Sequence, residues 1–259
     1  MKKLGVCLGS GGARGVAHIG FLQALVENDV PIDAITGCSM GSLVGAMFLS
    51  GYSPSKMRDM AVQLRKNDIL DISVSMLSNR AILKSQKFDK LLDSYFGDTT
   101  IENLSRPYAC IATDLISGRV HCFNSGEIKT AVRASCSLPL GFKPVKFQDM
   151  LLVDGGISNR IPVAEARDLG AEVVVAVDVL AELPVADKIN SIVSLGFRSL
   201  DILMQNINMF ADDRQRPDLL LAPNLGKVSQ FKVENQEFCY QRGYELGIEN
   251  VGKIKKLIV

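Results

Sequence analysis

The chain has 259 residues, of which 29 are basic and 28 acidic, giving a net charge of +1. That length accommodates a sizeable core, and the near-neutral balance gives no basis for nucleic-acid binding. No run reaches the roughly 18 apolar residues of a membrane span, and no long apolar stretch precedes the first glycines, so the expectation is a cytoplasmic protein without a cleaved leader. Lys2–Leu8 reads as a short strand, followed by Gly9-Ser10-Gly11-Gly12-Ala13-Arg14-Gly15 and a helical pattern of Val16, Ile19, Leu22, Leu25 and Val26. A dinucleotide-binding loop has the same outline, but in the G-x-G-x-x-G register from Gly9 the last glycine is Arg14, and from Ser10 the first is serine. No G-x-x-x-x-G-K-[ST] phosphate loop is present either.

Next comes Ile32-Asp33-Ala34-Ile35-Thr36, then Gly37-Cys38-Ser39-Met40-Gly41, then the small, apolar Ser42–Leu49. A serine between two glycines at a strand-to-helix turn is the layout of a nucleophile elbow, with its hydroxyl at a helix N-terminus where N–H groups stabilise negative charge. The adjacent Cys38 reads as a packed thiol. Ser53 to Asp98 is largely helical, with Met57, Met60, Leu64, Ile69, Leu70, Ile72, Val74, Met76 and Leu77. A second apolar stripe runs from Ile189 to Phe210. For both stretches a lid, a membrane-surface face and a contact between copies in a homo-oligomer are the alternatives. Lys253, Lys255 and Lys256 suit a solvated helix face. Strand-like runs at 3–8, 33–36, 108–113, 119–123, 151–153, 173–178 and 218–222 alternate with helical patterns, which predicts a three-layer α/β/α sandwich with a mostly parallel central sheet. Without a linker or repeat, one domain over 1–259 is expected, its motifs within 4–178 and a helical part at 188–259.

If Ser39 is a nucleophile, its base must be found. A serine, acid, histidine order places histidine near the C-terminal end, yet the two histidines are His18, just past the glycine loop, and His121, in a strand-like run. Both read as structural, so a carboxylate is the candidate base. Asp114, Asp154 and Asp178 each end an apolar run, and Asp154 alone is followed by two glycines, Gly155 and Gly156, which permit a tight turn and close approach. Consecutive glycine N–H groups near a helix start would supply an oxyanion site. The six cysteines lack a Cys-x-x-Cys pair and no histidine stands at ligand spacing, so neither disulfide, metal nor cofactor is called for.

Together the segments resemble the patatin-like phospholipases, a family known for a G-G-G-x-[RK]-G loop, a G-x-S-x-G elbow and a D-G-[GA] motif. Arg14–Gly20, Arg133-Ala134-Ser135-Cys136-Ser137-Leu138-Pro139 and Asn159–Val163 look like bacterial members related to the neuropathy target esterase catalytic domain. The resemblance runs from about Leu4 to Asp178. It implies a Ser39–Asp154 dyad without catalytic histidine, an oxyanion hole of Gly11, Gly12 and Met40, and supporting roles for Arg14, Gly15, Gly37, Gly41, Gly155 and Gly156. It also implies hydrolysis of phospholipid or lysophospholipid esters, with no cofactor and no nucleic-acid partner. Acyl thioester cleavage or acyl transfer by the same dyad, and a non-catalytic nucleotide-binding module, are the alternatives. Ser10 departs from the family's first loop glycine, a costly change if that position takes a positive φ. For Arg14, steadying the loop, attracting an anionic headgroup and forming a surface salt bridge all stay open.

Overall fold

The computed structural model describes residues 1–64, 86–183, 185–186, 188–207 and 212–259. Ile69, Leu70, Ile72, Val74, Met76, Leu77, Met209 and Phe210, from the two apolar stretches, lie outside the described residues. A central sheet contains β1 (Leu4–Leu8), β2 (Ala34–Cys38), β3 (Tyr108–Asp114), β4 (Val120–Phe123), β5 (Val145–Phe147), β6 (Met150–Asp154), β7 (Val173–Val177) and β8 (Leu219–Leu221). β1, β2, β3 and β7 are buried at every position, as strands covered on both faces must be, which explains their continuous apolar runs.

The strand order is β5-β6-β3-β2-β1-β7-β8, with β4 also paired to β3. Pairing is parallel from β3 through to β8 and antiparallel between β3, β4, β5 and β6. The sheet is therefore mixed, with the expected parallel half and an antiparallel margin. β5 has no sequence signal beyond Val-Lys-Phe, too short for a period to register. It forms because Gln148, at φ 52°, turns the chain back onto β6.

β3 is shared between partners. Its residues from Tyr108 to Ile111 pair with β2, ending at Cys38↔Ile111, and the next residue begins the pairing with β6 at Ala112↔Asp154. The end of β2 and the end of β6 are thereby delivered to adjacent positions on one strand.

The described α-helices are α1 (Val16–Glu27), α2 (Met40–Leu49), α3 (Pro54–Gln63), α4 (Gln86–Phe96), α5 (Ile128–Ser135), α6 (Val163–Asp168), α7 (Ile192–Asn206) and α8 (Gln236–Ile258). The larger core joins Leu4, Val6, Leu8, Ile35 and Val175 of the sheet to α1, α2 and α8. A smaller cluster of Cys7, Val174 and Ala176 meets Val163 and Ala166 of α6 on the opposite face. The three layers are thus present. α1 and α8 approach at backbone distance, since a Cβ on Gly243 would stand 1.8 Å from the Ala17 carbonyl oxygen.

The described parts of Ser53–Asp98 dock on other helices. α3, capped by Ser53 and opened by Pro54, lies on α1 and α8, with Arg58 paired to Glu237 at 2.6 Å. α4 lies on α5, where Asp89 accepts from Arg133 Nε at 2.6 Å. The part at 188–259 is less helical than expected, because β8 and irregular chain separate α7 from α8. Lys253, Lys255 and Lys256 are exposed while Ile254 and Ile258 are buried, as expected of a solvated face.

Candidate active site

Ser39 joins β2 directly to α2 with φ 52° and ψ −122°, the strained left-handed geometry that an elbow requires. Its flanking glycines are needed for close approach. A Cβ on Gly37 would lie 2.6 Å from the Gly41 carbonyl carbon, and one on Gly41 would lie 2.1 Å from the Leu8 carbonyl oxygen. The Ser39 N–H donates to Ser135 Oγ at 2.9 Å, and its carbonyl accepts from Ser42 N at 2.9 Å and Ser42 Oγ at 2.6 Å. Every one of these contacts fixes the serine backbone. Ser39 as a whole keeps 8% of its surface open to solvent.

Asp154 closes β6 and is buried, with Gly156 N–H donating to its Oδ1 at 2.8 Å and the Cys38 thiol lying 3.8 Å from the same oxygen. Burial raises its pKa to about 6, opposed by hydrogen bonding from the Ser39 hydroxyl, the Gly156 N–H and the Cys38 thiol. Cys38 is a packed thiol, held protonated by burial first and by the neighbouring carboxylate second. Gly155 and Gly156 permit the turn: a Cβ on Gly155 would meet the Ile111 carbonyl oxygen at 2.6 Å.

The glycine loop runs along the N-terminal turn of α2, where a Cβ on Gly15 would clash with Met40 Cγ at 2.2 Å. This is the point where β1, flanked by β2 on one side and β7 on the other, opens the crevice at the strand ends. Gly9 N donates to Val177 O, Ser10 N to Arg160 O, Ala13 N to Gln230 O and Arg14 N to Gly11 O. The N–H groups of Gly11 and Gly12 have no such partner among the described residues, and Met40 N–H heads α2, where helix geometry provides none. Positive φ falls on Gly12, at 49°, and not on Ser10, so serine is tolerated at the departing position.

A family model described as patatin-like phospholipase matches residues 6–167, a span that holds the loop, the elbow and Asp154. The chain belongs to the patatin-like phospholipase family. It is 36% identical over 175 residues to an uncharacterized NTE family protein of Mycobacterium tuberculosis, covering 68% of this chain and 48% of that one. It is 36% identical over 185 residues to patatin-like phospholipase domain-containing protein 7 of Rattus norvegicus, covering 68% and 13%. Lysophospholipase NTE1 of Scheffersomyces stipitis is 32% identical over 184 residues, covering 69% and 12%. The chain thus spans about half the length of its mycobacterial relatives and far less of the longer ones. Among solved structures, VipD from Legionella pneumophila superposes with a TM-score of 0.62 at 14% identity, over 99% of this chain and 67% of that one, which is likeness of fold.

The other residues singled out in this patatin-like chain separate cleanly. Asp114 caps the β3–β4 turn, accepting from Ile116 N, Ser117 N and Ser117 Oγ, and Asp178 forms a buried pair with Arg160 at 2.6 Å, so neither faces Ser39. His18 is fully buried, donates from Nε2 to the Gly9 carbonyl at 2.8 Å and is kept neutral by burial, its pKa down to about 4. His121 packs against Phe123 and Phe147.

Arg14 corrects two of its three expected roles. It is buried, and its guanidinium donates to the carbonyls of Val179, Glu182, Gly226 and Val228, so among the described residues it makes no surface salt bridge, and its donors are committed to backbone carbonyls. It ties the glycine loop to the C-terminal part of the chain.

Ser135 and Ser137 were present in the stretch resembling the family but carried no assigned role. Ser135 holds the Ser39 N–H, and the Ser137 carbonyl accepts Asp154 N–H at 3.0 Å, so the end of α5 and the turn that follows it brace both partners. A serine that acts through backbone bonds leaves no spacing signature, and only the resemblance pointed at it.

Proposed function

We propose that this chain is a lipid acyl hydrolase in which Ser39 attacks an ester carbonyl and Asp154 takes its proton. The observation that carries the reading is a buried carboxyl, raised to about 6, beside a serine held at φ 52° on a helix N-terminus. Near neutral pH the carboxyl is mainly ionised and yet basic enough to accept a proton, the condition for general-base work.

The chemistry runs in two halves. As the Ser39 Oγ to carbonyl carbon bond forms, its proton passes to Asp154, and the oxyanion is met by the N–H groups of Gly11, Gly12 and Met40. Collapse expels the alcohol, which takes the proton from Asp154 and leaves an acyl-Ser39. Water then adds as Asp154 accepts its proton, and the second collapse releases the fatty acid and returns the proton to Ser39. His18 and His121 have no place in this path: the His18 Nε2–H is committed to the Gly9 carbonyl, and His121 packs against Phe123.

The name of the Scheffersomyces stipitis relative, a lysophospholipase, supports phospholipid or lysophospholipid as the substrate class. Among the described residues no helix is long and apolar enough to cross a membrane. The proposed setting is the cytoplasm, against the inner face of the membrane, where buried free thiols such as Cys7, Cys38 and Cys110 stay reduced. Labelling by a fluorophosphonate probe tests the assignment. The natural chain is expected to label, Ser39→Ala not at all, and Asp154→Asn far more slowly. Equal labelling of Ser39→Ala would refute the nucleophile.

A further inference from the structure

One side of α7 is apolar and uncovered. Ile192 is 81% exposed, Leu195 49%, Ile202 42% and Leu203 64%, all on the side opposite the buried Met204. Leu140 extends the patch: it is 57% exposed, and a Cβ on Gly196 of α7 would lie 2.6 Å from its Cδ1. Leu140 also stands at φ 68°, a left-handed conformation that a leucine adopts at a penalty and that its own burial does not offset. An uncovered row of large apolar side chains, interrupted only by the small polar Ser199 and Asn206, marks a contact.

Charge selects the occupant. The segments that carry the patch, 136–148 and 188–203, hold Lys143, Lys146, Lys188 and Arg198 and a single acid, Asp201, which accepts from Gln230. Lys143, Lys146 and Lys188 are exposed. The flanking acids along the chain are Asp149 at the β5–β6 turn and Asp187. A second copy seated on this face would bring like charges together, whereas anionic headgroups would meet the lysines while the leucines and isoleucines enter the acyl boundary.

Position links the patch to the reacting groups. The inward side of α7 rests on the Asp154 turn, where a Cβ on Gly156 would stand 2.6 Å from Met204 Cε, and Arg160 Nη1 donates to the Met204 carbonyl at 2.7 Å. Leu140 belongs to the same turn whose Ser137 carbonyl accepts Asp154 N–H. We propose that the outer face of α7, together with Leu140, docks this protein on an anionic lipid bilayer. The lipid hydrolase reading supplies only the reason for such a surface, and docking is measurable without catalysis.

The test uses the full chain carrying Ser39→Ala, so that vesicles are not consumed, in co-sedimentation with phosphatidylcholine vesicles and with phosphatidylcholine–phosphatidylglycerol vesicles. Expected is binding to the anionic vesicles that weakens with salt. Leu195→Asp with Leu203→Asp should abolish it at unchanged circular dichroism and melting temperature. Lys143→Glu with Lys188→Glu should reduce partitioning at least about twentyfold, taking about fivefold per cation near an anionic surface. With Ser39 restored, the leucine variant should hydrolyse a soluble short-chain ester normally and a vesicle substrate poorly. No binding by the parent chain, undiminished binding by the leucine variant, or a parent dimer that the leucine variant dissociates would each overturn the proposal. If fluorophosphonate labelling fails while vesicle binding depends on these residues, the docking surface stands and the hydrolase reading falls.

Discussion

Replacing Asp154 by Asn separates what this carboxyl does for chemistry from what it does to the fold. Its pKa of about 6 lies above the ordinary 3.8, so the native state holds the proton more tightly than the unfolded chain. Unfolding stability is therefore lost as pH rises from about 4 through 6, and the ionised form above that range is a standing destabilisation. With 1.36 kcal/mol per pKa unit, the penalty is about 0.5 kcal/mol at pH 4 and about 3 kcal/mol at pH 7.5. Asn carries no charge and its Oδ1 can still accept the Gly156 N–H, so the variant should be more stable than the natural chain by about these amounts at the two pH values. Urea unfolding of both proteins between pH 4 and pH 8 reads the difference, in which all other titrations cancel. In parallel, the natural chain's kcat/KM should rise with pH to a plateau with its midpoint near 6, and the variant should be almost inactive. A stability difference between the two proteins that does not change with pH would refute the reasoning, because it would mean that Asp154 is not desolvated in the native state.

Two further perturbations probe positioning and packing. Ser135→Ala leaves the buried Ser39 N–H without its acceptor and should cost about 1–3 kcal/mol in unfolding while lowering kcat more than it raises KM, measured by urea unfolding and steady-state kinetics. Gly243→Ala forces a Cβ toward the Ala17 carbonyl and should destabilise by about 1–3 kcal/mol or more, whereas Gly252→Ala on the same helix meets nothing within 4 Å and should stabilise by up to about 1 kcal/mol. Thermal melts of the pair compare the two; similar shifts would contradict backbone contact between α1 and α8.

Much of the sheet was legible because buried parallel strands must be apolar throughout, as Leu4–Leu8 and Val173–Val177 are. The elbow was legible for a related reason. Gly37 and Gly41 are required by contacts made within the local strand, turn and helix and by the adjacent β1, so the requirement is written beside the serine it serves. The role of Arg14 stayed open because a charged residue in a glycine loop gives no sign of burial. Its four carbonyl partners come from 179–182 and 226–228, far along the chain.

By itself, then, the sequence determined the strand–loop–helix units, the strained serine, the absence of a late histidine and the short list of carboxylates. Gly155 and Gly156 already singled out Asp154 among those carboxylates, but only the tertiary structure decided how it comes to lie beside the serine. Cys38 and Asp154 are 116 positions apart, and they converge because β3 passes from pairing with β2 at Ile111 to pairing with β6 at Ala112. Hydrophobic pattern and glycine placement act over a few residues and are recorded locally, whereas the pairing of strand ends, and the burial that raises Asp154 to about 6, arise from backbone hydrogen bonds and packing between distant segments.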